Sequence, residues 1–168
     1  ARLFRRLRRK RSRHVLLFAR IALYTGARTT AILDLTWDRV DFHTGLLAYR
    51  VPGRRVTKKR RTVAPMGGLR RALKHAKKHA RSGHVIEWAG QRVERVAKAF
   101  IDAAEDVGLS DVSPHVLRHS FATWGVLKGA NIYVVGKALG QTVTSTTERY
   151  AKVRPQDIAD LMETIRRK

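Results

Sequence analysis

The sequence predicts an α+β domain that is mainly α-helical, with one small antiparallel sheet at about 38–65. Apolar residues recur at helical spacing over most of the chain, the period shortens to a β-like pattern in one stretch, and glycines stand where the helical runs stop. The 168 residues suit one domain of ordinary size, and 43% apolar residues give it a core to bury.

Each element follows from its residues. The opening "RLFRRLRRKRSRH" makes 1–13 a basic arm or the start of a helix laid on phosphate. "HVLLFARIALY" at 14–24 is a buried helix, and "TGAR" breaks it, with Gly26 placed to close it in a left-handed conformation. "TTAILDLTW" restarts a helix that Thr29 or Thr30 can cap, with Ile32, Leu33 and Leu35 on its apolar side. "VDFHTGLLAYRV" and "RRTVAPM" then read as two or three strands, turning at His43-Thr44-Gly45 and Pro52-Gly53. "GGLRRALKHAKKHARSG" is helical, and "HVIEW" is a strand or a loop. "QRVERVAKAFIDAAEDVG" places Val93, Val96, Ala97, Phe100, Ile101 and Ala104 along one helical face, and Gly108 ends it. Helices follow at about 114–128, 131–139 (ended by Gly140), 143–150 and 155–167. The tail, 153–168, carries Ile158, Leu161, Met162 and Ile165 at helical spacing, an apolar stripe that needs a partner.

Charge narrows the function. Thirty-six Lys and Arg against 13 Asp and Glu leave +23, a balance matched to a polyanion, most commonly nucleic acid. The basic residues cluster in the opening segment, in "RRVTKKRR" at 54–61 and in "RRALKHAKKHAR" at 70–81. A generally basic, solvated surface is the bland alternative. An acidic membrane is a lesser competitor, because no long basic amphipathic helix with aromatic anchors stands out. Without cysteine there are no disulfides and no Cys-based zinc sites, which suits a reducing, cytoplasmic compartment. No apolar run approaches the ~18 residues of a membrane span, and no signal peptide follows the basic start.

Polar residues sit in places that ask for a reason. Arg28 lies in the break between two apolar helices, where a charge is expected to be paired or to face a ligand. In "HVLRHSFAT", His115 and Arg118 are three apart and share a helical face, after Ser113 and Pro114, a cap and a first-turn residue. Lys58 and Lys59 sit at the tip of the basic hairpin, and Tyr150 follows "TTER" at a helix end. Singly, each has an ordinary structural reading: an ion pair, a structural histidine, a half-buried tyrosine. Their joint occurrence in this order does not.

In that order the segments resemble the catalytic domain of the tyrosine recombinases, the phage integrase family. "LYTGARTTAILDLTW" looks like the family's first arginine box, "TKKRRTVAPM" like its β-hairpin lysine segment, "HVLRHSFAT" like its His-x-x-Arg box and "LGQTVTSTTERYAKV" like its tyrosine box. The resemblance covers about 14–152. It implies the family's catalytic-domain fold, here as one domain over 1–168. It also implies a C-terminal fragment lacking the N-terminal core-binding domain, and the start at Ala1 without a Met agrees. Residue by residue, Arg28 and Arg118 match the arginines that hold the scissile phosphate, Lys58 the hairpin lysine, His115 the first histidine and Tyr150 the nucleophile. Gln141 stands where the family usually has His or Trp after "LG"; glutamine donates a hydrogen bond but carries no proton as imidazole does. Arg54, Arg55, Lys59, Arg60, Arg61 and His119 are the expected DNA-contacting residues.

The implied reaction is transesterification. Tyr150 attacks a DNA phosphodiester, a 3′-phosphotyrosine forms, and the 5′-hydroxyl leaves. A phenol needs help losing its proton, which His115 can accept. Two guanidiniums answer the charge on the non-bridging oxygens, so neither metal nor other cofactor is expected, and conservation of bond energy in the covalent intermediate removes the need for ATP. The expected partners are double-stranded DNA and further copies of the full-length protein, as a tetramer on a recombination site, in a bacterial or phage setting. In this family the C-terminal helix often docks on a neighbouring protomer; packing on its own core is the alternative. Three rival functions stay open: strand cleavage of the type IB topoisomerase kind, a DNA-binding remnant without chemistry, and a basic RNA-binding structural protein.

Overall fold

A computed structural model describes residues 2–9, 12–53 and 63–140. The first basic cluster contains a short helix, α1 (Arg2–Arg6). Leu3 and the following Leu7 are buried in the main core, and Arg6 pairs with Asp106 at 2.5 Å, while Arg2, Arg5, Arg8 and Arg9 stay exposed. The spacing of two leucines among arginines is what makes the segment amphipathic.

Helix α2 (Arg13–Thr25) is the centre of the fold. Val15, Phe18, Ala19 and Ile21 are fully buried, and Gly26 ends the helix in the left-handed region (φ 64°), its N–H donating to the Ala22 carbonyl. Helix α3 (Thr29–Leu33) is shorter than the apolar pattern predicts. Arg28 occupies its N-cap position, so Thr29 and Thr30 are its first helical residues and not its cap. Leu35 is buried from outside the helix, and Thr36 bridges to His84.

The expected sheet is present. Strands β1 (Val40–Asp41), β2 (Leu46–Ala48) and β3 (Val63–Pro65) are antiparallel in that order, with Val40 opposite Leu47 and Leu47 opposite Ala64. The β1–β2 turn closes on Asp41, whose carboxylate accepts from the His43 and Thr44 amides and the Thr44 hydroxyl, and Gly45 supplies the positive φ. After a 3-10 turn at Gly67–Leu69 comes α4 (Arg70–Lys78).

One expected element is wrong in part. Gln91 and Arg92 do not begin a helix; they form β5 (Gln91–Arg92), a hairpin partner of β4 (Glu87–Trp88), turned by Ala89 and Gly90, both at positive φ. Helix α5 runs only over Ala97–Glu105. Val93 and Val96 are buried all the same, because the hairpin's exit delivers them to the core that Phe100 fills. Helices α6 (Pro114–Leu127) and α7 (Ile132–Leu139) follow, Gly140 closing α7 in the left-handed region. Ser113 stands at the N-cap of α6, but its side chain makes no capping bond; Asn131 caps α7 by accepting from the Tyr133 amide. The expected helices at 143–150 and 155–167, with the apolar stripe of the tail, lie outside the described residues. Among the described residues, no helix is long and apolar enough to cross a membrane.

Among the described residues, the core is in two parts. The larger runs from Leu3 to Leu117 in sequence; a smaller one gathers Ala122, Val135 and Leu139 under α7, with Phe121 and Val126 packed on it. Helix α6 belongs to both, through Leu117 and Ala122. Because Leu7 is fully buried, Leu7→Ala should cost ~2–5 kcal/mol in denaturant unfolding. A loss of only a few tenths would restore the arm reading of the N-terminus.

Candidate active site

Three chain segments meet around the middle of the "HVLRHSFAT" helix. Pro114 in the first turn has no N–H to leave unpaired and starts α6 without strain. Helical spacing then sets His115, Arg118 and His119 on one face. Leu117 and Arg118 are buried, His119 is half-buried, and His115 is exposed. The rings of His115 and His119 meet edge to face, 4.5 Å between centroids.

Arg118 is a buried cation, 6% exposed. One terminal nitrogen donates to the Gly26 carbonyl at 2.5 Å and the other to the Leu139 carbonyl at 2.7 Å. Those carbonyls lie at the C-terminal ends of α2 and α7, where backbone acceptors lack helical partners and the helix dipole is negative. One guanidinium thus satisfies two helix ends, and a planar fork is the side-chain shape that does so.

Gly26 makes this approach possible. A Cβ there would lie 2.5 Å from a ring carbon of Phe121 and 2.9 Å from a methyl of Leu139, in a backbone conformation that L side chains rarely adopt. The break itself is fixed by Thr25, which is buried. Its hydroxyl donates to the Ile21 carbonyl at 2.7 Å and accepts from the Ala27 amide at 3.2 Å. With that proton committed, the Tyr49 hydroxyl is the donor in the 3.1 Å Thr25–Tyr49 bond. Tyr49, buried just past β2, therefore ties the sheet to the break, which hands on an extended Arg28 (φ −70°, ψ 146°), half-buried.

The Arg118–Gly26 bond joins the break to α6, and the charges around His115 agree with that. His115 is held below the ordinary imidazole pKa, first by desolvation and then by the positive charges of His119, Arg118 and Arg28. Arg28 and Arg118 thus act on the same ring and favour its neutral form. Two guanidiniums and a neutral imidazole can hold an anion and accept a proton beside it.

Of the residues singled out in the sequence, Arg28, His115, Arg118 and His119 are brought together. Lys58, Gln141 and Tyr150, with Arg54, Arg55, Lys59, Arg60 and Arg61, lie outside the described residues. The sequence reading missed Thr25 and Tyr49, and it took Gly26 for a helix stop alone. "TGAR" carries a signal for the first, a hydroxyl beside a break; no sequence pattern announces Tyr49.

A model of the phage integrase family matches residues 2–157. The chain belongs to the phage integrase family. The tyrosine recombinase XerD of Pasteurella multocida is 28% identical to it over 153 residues, 83% of this chain and 50% of that protein. XerD of Mycobacterium tuberculosis is 34% identical over 138 residues, 77% of this chain and 44% of that one. The chain thus spans about half the length of the curated relatives it matches. Among solved structures, XerA recombinase matches with a TM-score of 0.76 at 21% identity, over 98% of this chain and 60% of that one. The Tn1549 transposon integrase in complex with circular intermediate DNA gives 0.78 at 17% identity, over 97% and 63%. XerH bound to its difH substrate gives 0.72 at 18% identity, over 96% and 50%. The fold is that of the tyrosine recombinase catalytic domains.

Two results are expected. The His115 imidazole should titrate below the ordinary ~6.5, and phosphate should raise its pKa, since an anion between the arginines favours imidazolium. Because the folded pKa is depressed, the folded state binds fewer protons than the unfolded between the two values. This group's share of stability is therefore lost as pH falls through that window. NMR titration with and without phosphate measures both; a midpoint at or above 6.5 without phosphate contradicts the site geometry. Gly26→Ala should cost at least ~1 kcal/mol in denaturant unfolding, from the left-handed backbone and the Phe121 contact together. A neutral substitution would show that α2 and α6 do not approach so closely.

Proposed function

We propose that this chain is the catalytic domain of a site-specific DNA recombinase. Arg28 and Arg118 hold the scissile phosphate. Tyr150 attacks phosphorus through its phenolic oxygen, the bond to O5′ breaks, and a 3′-phosphotyrosyl intermediate keeps the strand until a 5′-hydroxyl from another strand attacks in turn. His115 takes the phenolic proton, and Lys58 supplies one to the leaving oxygen. Gln141 donates a hydrogen bond to the phosphate. The observation that carries the reading is the buried Arg118, one turn after His115 on α6, bonded to the Gly26 carbonyl in the break two residues before Arg28, so that two arginines 90 residues apart in sequence bear on one imidazole. Family membership and the DNA-bound Tn1549 integrase and XerH support it. Duplex DNA is the substrate, a tetramer of the full-length protein the working assembly, and the cytoplasm of a bacterial cell, from a bacterial or phage gene, the setting.

The test is a nicked duplex carrying the recombination site, mapped with the full-length protein. The nick lets the cut end diffuse away and traps the covalent protein–DNA adduct. Tyr150→Phe should bind this duplex normally and form no adduct. An adduct that persists removes Tyr150 as nucleophile, and a wild-type chain that binds without forming one is a binder without chemistry. Gln141→Ala should slow adduct formation by ~10²-fold or less, the scale of one lost transition-state donor, and Gln141→His should leave it intact or raise it. An unchanged rate in the alanine variant would place Gln141 away from the phosphate.

A further inference from the structure

Helix α4 carries a charge pattern that the candidate site does not use. Its inner side is set by Leu73, fully buried, with Ala72 and Ala76 half-buried. One flank is anchored on the β1–β2 turn: Arg70 donates to the Phe42 carbonyl, and the Lys77 ammonium lies 5.3 Å from the centre of the Phe42 ring. The outward side is left to Arg71, Lys74, His75 and Lys78, all exposed. These positions follow the i, i+3, i+4, i+7 rule and form a single stripe, ~10 Å long at 1.5 Å per residue.

Surface helices usually balance such residues with acids one turn away, as α5 does with Lys98 and Asp102 at 3.6 Å. Helix α4 contains no acid, and no Asp or Glu occurs anywhere between Asp41 and Glu87. Arg70 and Lys74, and Lys74 and Lys78, are like-charge i, i+4 neighbours, each pair destabilising by a few tenths of a kcal/mol. Arg70 and Arg71 also stand in the first turn, against the positive end of the helix dipole. The free surface is thus repelling itself, and a polyanion laid along the stripe would relieve it.

We propose that the outward face of α4 is a second binding surface for the phosphate backbone of duplex DNA, separate from the phosphate held at Arg28 and Arg118. It rests on the reading of the chain as a DNA-acting domain. The stripe has Lys and Arg at roughly the interval needed to meet successive phosphates of one strand, ~3.4 Å apart along the axis or a small multiple of that. It presents no Phe, Tyr, Trp, Leu, Ile, Val or Met, so it lacks the apolar anchors with which a helix enters a membrane surface. The contact is to backbone alone and therefore independent of sequence, adding grip on whatever duplex the site at Arg28 and Arg118 has selected.

The test uses a mixed-sequence duplex and the triple variant Arg71→Gln, Lys74→Gln, Lys78→Gln. Glutamine keeps helix propensity, and the variant loses internal repulsion, so its unfolding midpoint should hold or rise. The slope of log affinity against log salt should shrink in magnitude by ~2–3, at about 0.9 per lost phosphate contact, while the Tyr150 adduct at saturating protein forms at the wild-type rate. The chain has no cysteine, so Lys74→Cys accepts a single photo-crosslinker, which should join to the duplex. An unchanged slope, or no crosslink, overturns the proposal. Loss of binding to phosphatidylserine vesicles with an unchanged DNA slope also overturns it, in favour of a membrane surface. A wild-type chain that forms the adduct while the slope stays fixed sinks this proposal alone; one that binds no duplex at all sinks the recombinase reading with it.

Discussion

The buried fork of Arg118 is the interaction on which the site depends. A charge six per cent exposed is costly unless its environment answers it, and here two helix ends do so with their carbonyls. The same contacts hold α2 and α7 against α6. The residue proposed to hold a phosphate is therefore also a fastener, and its orientation is fixed before any ligand arrives. That is the condition for electrostatic stabilisation without reorganisation at the moment of reaction. Gly26 is the steric complement of this arrangement: any larger residue would keep the carbonyl and the guanidinium apart.

Among the described residues, the buried side chains around that fastener fall into two groups. The sheet, α1 to α5 and the first turns of α6 share one large core, whereas α7 rests on a small cluster of its own. Leu139 belongs to that cluster by its side chain and to Arg118 by its carbonyl. Arg118 thereby joins the end of α2, in the main core, to the end of α7.

Much of this was legible in the sequence. The apolar runs of α2, α6 and α7 and the glycines that close α2 and α7 are local signals, and local physics decided them. So did the alternation at 40–48 and the turn at Asp41–Gly45. The region from Gln91 to Val96 misled because Val93, Val96 and Phe100 keep helical spacing although a hairpin delivers the first two. Its turn, Ala89-Gly90, places an alanine at φ 51°, which no turn signature forecasts. The convergence of Arg28, His115 and Arg118 was read from the order of motifs. What could not be read was how it is held: the Arg118 bonds to Gly26 and Leu139 and the Tyr49–Thr25 bond join residues 92, 21 and 24 positions apart. Such pairings belong to tertiary structure and leave no periodic trace.

Hydrogen exchange of the α7 amides in Arg118→Met tests the central claim most directly. Methionine fills similar volume but donates nothing, so the Gly26 and Leu139 carbonyls would lose their partner without a large cavity opening. Exchange over Ile132–Leu139 should accelerate by at least ~10-fold, the equivalent of ~1.4 kcal/mol of local stability, while the α2 amides at the main core keep their protection. Unchanged exchange in α7 would contradict the account, because Arg118 would then hold nothing but the ligand.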